Sequence, residues 1–130
     1  MYNDCMYVNN ILDKKRLLEY YYNDKKFIKG EHLLKTLERH SNFQGDAISQ
    51  DVRCCFATEF YDWEEDYFGE SGVAYYFDYP AVEKDCIVIL TYEEFYKYLS
   101  DVCEKYVENN EEQKVVIYEY LNKIKINLGL

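Results

Sequence analysis

The run Cys86-Ile87-Val88-Ile89-Leu90, followed without a spacer by Thr91-Tyr92-Glu93-Glu94, constrains this chain of 130 residues more than any other stretch. Five consecutive apolar residues are the length of a strand covered on both faces. Thr91 and Glu94 have the spacing of a capping box, in which hydroxyl and carboxylate each accept a backbone N–H left over at a helix start. The chain must therefore pass from a buried strand directly into a helix. Phe95, Leu99, Val102, Cys103 and Tyr106 give that helix one apolar face.

Upstream, Val52, Cys54, Phe56, Thr58 and Phe60 alternate with more varied neighbours, and Val73, Tyr75, Phe77 and Tyr79 repeat the alternation until Pro80 ends it. These segments and 86–90 predict three strands in an antiparallel sheet. Ile11, Leu12, Leu17, Leu18, Tyr21 and Tyr22, then Phe27, Leu33, Leu34 and Leu37, form two helical stripes with Gly30 as the break between them. Ser41 to Asp46 closes the second with turn-forming residues. After Asn109-Asn110, the residues Val116, Ile117, Tyr120, Leu121 and Ile124 mark a final helix. The expectation is an α+β fold: a small antiparallel sheet of about three strands packed with N-terminal and C-terminal helices, as a single domain over 1–130.

No apolar run approaches the roughly 18 residues that cross a bilayer. Met1-Tyr2-Asn3-Asp4-Cys5-Met6 has neither a basic start nor an apolar block, so a cytoplasmic chain without a secretory signal is expected. The five cysteines, Cys5, Cys54, Cys55, Cys86 and Cys103, show no C-x-x-C spacing and read as free thiols. Cys54 and Cys55 must point to opposite faces of a strand, so at least one is a small buried apolar group.

Catalytic and ligand-binding patterns find little support. His32 and His40, eight positions apart on a helix, lie roughly 12 Å apart along its axis, too far to share an ion, and read as surface residues. Gly69-Glu70-Ser71-Gly72 brings its second glycine one position too early for a nucleophile elbow. No phosphate-binding glycine loop is present. Asp62-Trp63-Glu64-Glu65-Asp66 offers oxygen ligands without the calcium-loop offsets. Neither a cofactor nor a metal is expected. Paired carboxylates leave a small carboxylate-dependent enzyme as one alternative.

Charge points to a different role. The chain carries a formal net charge of −10, and residues 51–85 hold ten carboxylates against only Arg53 and Lys84. Repulsion argues against direct contact with nucleic acid or anionic membrane and favours a cationic protein partner. Within this block, Glu59, Tyr61, Asp62, Trp63, Glu64, Glu65, Asp66, Tyr67, Phe68 and Glu70, with Asp78 beyond, combine carboxylates that steer a basic partner with rings that supply desolvated contact area. Under the competing reading, these rings pack inward and the acids merely solvate a loop. A nuclease fits as the partner, because its cleft is lined with cations that hold phosphates. A broader acidic adaptor or nucleic-acid mimic for other basic proteins is the second alternative.

The stretch Tyr75-Tyr76-Phe77-Asp78-Tyr79, the run from Cys86 through Tyr92-Glu93-Glu94-Phe95-Tyr96-Lys97-Tyr98-Leu99, and Cys103-Glu104-Lys105-Tyr106 together resemble immunity proteins of bacterial contact-dependent growth inhibition systems, those that protect against ribonuclease toxins. The likeness is best from about Tyr67 to Ile124 and weak before Val52. It implies a cytoplasmic, non-enzymatic antitoxin that binds the C-terminal toxin domain delivered by a neighbouring cell and blocks its nuclease activity. The matching residues Thr91, Glu94, Phe95 and Leu99 cap and pack a helix, so the resemblance transfers no toxin-contacting residue.

Overall fold

The computed structural model describes residues 6–23 and 31–130. Cys5, Phe27 and Gly30 lie outside the described residues. The elements run β1 (Met6–Tyr7), α1 (Ile11–Tyr22), α2 (Glu31–Ser41), β2 (Ala47–Ser49), β3 (Val52–Phe56), β4 (Val73–Phe77), β5 (Cys86–Leu90), α3 (Tyr92–Glu108) and α4 (Lys114–Asn127). The sheet order is β1-β5-β4-β3-β2.

The three strands read from the sequence form the centre of the sheet. They pair antiparallel with Val52 opposite Phe77 and Val73 opposite Leu90. The expected sheet of about three strands is corrected in two ways. Antiparallel β2 extends one edge, and β1 extends the other by pairing parallel to β5, with Met6 opposite Cys86. The sheet is therefore mixed and five-stranded among the described residues.

The strand expected to reach Phe60 stops at Phe56. Glu59 Oε2 accepts the N–H groups of Phe56 at 2.7 Å and Gly45 at 3.1 Å, and this turns Ala57–Glu59 into a short 3-10 turn. Thr58 and Phe60 therefore leave the ladder. The alternation through Tyr79 likewise ends at Phe77, and Tyr79 is exposed.

One face of the sheet carries Val52, Cys54, Phe56, Val73, Tyr75, Phe77, Cys86, Val88 and Leu90 against the helices, making the main core with Leu18, Leu33, Leu37, Phe95, Leu99, Ile117 and Leu121. The other face carries Ala74, Tyr76 and Ile87, with Cys55, Ile89 and Phe68 packed on them. Cys54 and Cys55 thus divide between the two faces, as the pleat requires. All five positions of β4 are buried because both faces are covered.

The capping box is present as read: Glu94 N donates to Thr91 Oγ1 at 3.1 Å and Thr91 N to Glu94 Oε1 at 3.0 Å. Phe95, Leu99, Cys103 and Val107 form the buried stripe of α3, and Ile117, Leu121 and Ile124 that of α4, which packs along α2. Asn127 Nδ2 donates to the Ser41 carbonyl at 2.7 Å and so ties the ends of those two helices together. Only the later part of the first stripe is buried. Leu18, Tyr21 and Tyr22 enter the core, whereas Ile11 and Leu12 are exposed.

His40 corrects the sequence reading most sharply. It is buried, with Phe56 and Phe95 against its ring. Nδ1 lies 2.9 Å from the Gln44 carbonyl, and Nε2 lies 3.0 Å from the Tyr22 hydroxyl. A carbonyl only accepts, so Nδ1 carries the proton and Nε2 accepts from Tyr22. Tyr22 has then spent its proton, and Tyr75, 2.6 Å away, donates to it. This buried chain of polar groups runs in one direction. Burial lowers the His40 pKa to about 4 and raises those of Tyr22 and Tyr75. His32 is half-buried, with Nε2 3.2 Å from Asp46 Oδ2.

Candidate functional site: an acidic aromatic loop over the sheet

The segment between β3 and β4 leaves and re-enters the sheet at neighbouring points, since Ala57 N donates to the Gly72 carbonyl at 3.0 Å. At its start, Glu59 joins the loop to Gly45 and to the end of β3 at Phe56, one backbone hydrogen bond to each. Gly45 is required there, because a Cβ would sit 1.8 Å from the Cys54 carbonyl oxygen. Next comes a tight turn in which Glu64 N donates to the Tyr61 carbonyl at 3.0 Å and Tyr61 N donates back to Glu64 Oε2 at 2.6 Å. Tyr67 N then donates to the Glu64 carbonyl at 3.1 Å.

These bonds sort the rings. Phe60 and Phe68 meet edge to face at 6.1 Å, and Phe68 lies on the Ala74, Tyr76 and Ile87 cluster, so it anchors the loop to the back of the sheet. Tyr67 is half-buried. Tyr61 and Trp63 face solvent instead, 69% and 76% exposed, and stack with ring centroids 5.7 Å apart and planes 4° from parallel. Some rings of this loop are therefore core and two are surface, so the competing inward-packing reading describes Phe68 but not Tyr61 or Trp63.

The carboxylates divide as well. Glu64 accepts the N–H of Tyr61 within the loop, and Glu59 accepts those of Phe56 at the end of β3 and of Gly45 before β2, so both act as braces. Asp62, Glu65 and Glu70 are exposed, and Asp66 is half-buried. Residues 59–70 contain six carboxylates and no Lys or Arg. Asp78 lies apart from them, just beyond the opposite end of β4, a separation of roughly 15 Å along the strand. There it pairs with Arg53 at 3.8 Å, and burial, then the charges of Asp85 and Asp51, raise its pKa. Arg53 also lies over the Tyr76 ring at 4.5 Å.

Elsewhere, a cleft of about 560 Å³ opens between the end of α1 and α3, and on its wall Lys105 pairs with Glu19 at 3.4 Å. Among the described residues no group of three or more His, Cys, Asp or Glu side chains is arranged to hold a metal ion, and no helix is long and apolar enough to cross a membrane. The thiols of Cys54 and Cys103 are buried and burial raises their pKa, and Cys55, half-buried, is pushed up to about 11.

Sequence reasoning located this loop by its composition. It did not separate bracing carboxylates from outward ones. The signal available was the spacing Tyr61-x-x-Glu64, the same three-residue reach as Thr91-x-x-Glu94.

No curated protein and no solved structure matches the chain. A family model described as CDI immunity protein matches residues 14–121, reaching well upstream of Val52. That match runs from within α1 to the middle of α4, and on it the chain belongs to the family of contact-dependent growth inhibition (CDI) immunity proteins.

Proposed function

We propose that this immunity protein neutralises a cognate nuclease toxin domain, a ribonuclease, by laying the loop of residues 59–70 across the toxin's basic substrate surface in the cytoplasm, without chemistry of its own. The single observation that carries the reading is the solvent-facing Tyr61–Trp63 stack on a loop with six carboxylates and no cation. Two exposed rings in contact form a contiguous apolar patch rimmed by carboxylates, the kind of surface that marks an interaction site.

In this reading Asp62, Glu65, Asp66 and Glu70 meet lysines and arginines that otherwise hold phosphates, and speed encounter through long-range attraction. Tyr61 and Trp63 supply the desolvated anchors that slow dissociation. Glu59 and Glu64 shape the loop, and Tyr67 and Phe68 hold it on the sheet. Asp78, at the other end of β4, adds to the field rather than to the same contact. The family membership supports a toxin partner, and the charge of the chain supports a basic one.

The test is to produce the chain together with the C-terminal domain of the toxin encoded beside its gene. Survival of the cells and a stable one-to-one complex on sizing columns support the proposal. Continued killing, with both proteins soluble, overturns it.

A further inference from the structure

The Tyr61–Trp63 stack has a feature that a merely sticky patch does not need. The two rings are held parallel, separated in sequence by one residue, and that residue is the carboxylate Asp62. Ring, anion, ring is the order of base, phosphate, base along a nucleic acid strand. Clefts that take single strands hold bases by stacking them on aromatic or guanidinium planes while cations hold the intervening phosphate. Both rings are more than two-thirds exposed, so their outer faces are open to such planes. The turn from Tyr61 to Glu64, closed by hydrogen bonds of 2.6 and 3.0 Å, sets the pair before any partner arrives. Preorganised rings with two side-chain torsions each lose little freedom on binding.

From this geometry we infer that Tyr61-Asp62-Trp63 is a dinucleotide surrogate: it enters the base-stacking subsites of the toxin's cleft and competes directly with single-stranded nucleic acid. The inference rests on the proposed nuclease-binding role and adds where on the toxin the loop sits and which chemistry recognises it. It predicts that ring planarity, beyond apolar bulk, sets the affinity. It also predicts that no ternary complex forms among the chain, the toxin domain and an oligonucleotide.

The probe is a fluorescein-labelled 2′-O-methyl oligoribonucleotide, which a ribonuclease needing the 2′-hydroxyl cannot cut, bound to the toxin domain and followed by anisotropy. The wild-type chain should displace it completely, with the apparent dissociation constant of the probe rising linearly with free chain. A double Tyr61→Leu, Trp63→Leu variant keeps apolar bulk and removes the planes, and its affinity for the toxin should fall by at least about 30-fold, taking the lower bound of stacking energy for each ring. Tyr61→Phe with Trp63→Phe should stay within a few-fold of wild type. A ternary complex, or leucines that bind as well as the native rings, overturns the surrogate while leaving toxin binding intact. Failure of the wild-type chain to bind the toxin domain at all overturns both readings, and calorimetry without the probe separates the two cases.

Discussion

Lowering the pH from 7 to 5 should destabilise this fold through one residue, His40. Its imidazole is neutral in the core, with Nδ1 donating to Gln44 and Nε2 accepting from Tyr22. Burial is the largest influence and lowers its pKa to about 4. The Gln44 carbonyl and Asp46 oppose that shift, and Arg39 adds to it. An unfolded histidine titrates near 6.5. Between about 6.5 and 4 the unfolded chain therefore binds a proton that the folded chain refuses, so stability falls as the pH falls through that window. The linkage relation gives a loss of about 2 kcal/mol by pH 5 and about 3 kcal/mol by pH 4. Against a usual total of roughly 5–15 kcal/mol, that is a substantial share.

The assay is urea unfolding at several pH values for the native chain and for His40→Gln, which has no titrating ring. Carboxylate effects are common to both proteins and cancel in the difference. The stability advantage of the native chain over His40→Gln should shrink by about 2 kcal/mol from pH 7 to pH 5. A difference that stays flat across that range would refute the buried neutral imidazole.

Three further outcomes follow from the loop and its supports. Reversing Asp62 and Glu70 together to lysine should slow association with the toxin domain at low salt, measured by stopped flow, and leave the urea midpoint almost unchanged, because both side chains face water. Glu59→Ala should cost about 2 kcal/mol in urea unfolding, since it strips the acceptor from two backbone N–H groups, and Glu59→Gln should recover part of it. Gly45→Ala should cost about 3 kcal/mol or more, visible as a lowered Tm, because the new Cβ would overlap the Cys54 carbonyl.

The helix beginning after Thr91 was legible because every signal for it is local: the cap is three residues long and the stripe repeats every turn. The central strands were legible for the same reason, with Val73, Tyr75 and Phe77 facing one way by alternation alone. What escaped depends on partners distant in sequence. Two-residue β1 exists only because Met6 and Tyr7 find the free edge of β5 some 80 positions away. The alternation at Thr58 and Phe60 continues in sequence but not in space, because Glu59 captures the N–H groups of Phe56 and Gly45. His40 reads as a surface residue by type, and only Tyr22 and the Gln44 carbonyl make its burial tolerable. In the loop, composition marks an acidic and aromatic segment, but hydrogen bonds decide that Glu64 braces while Trp63 faces out.

The central claim, that the loop over the back of the sheet is the toxin-binding surface, is tested most directly by hydrogen exchange of the chain alone and in complex with its toxin domain. The account predicts slowed exchange concentrated in residues 60–72, with α4 unchanged. Protection centred on the exposed α4 side chains Val115, Tyr118 and Ile126, with the loop exchanging as freely as before, would contradict it.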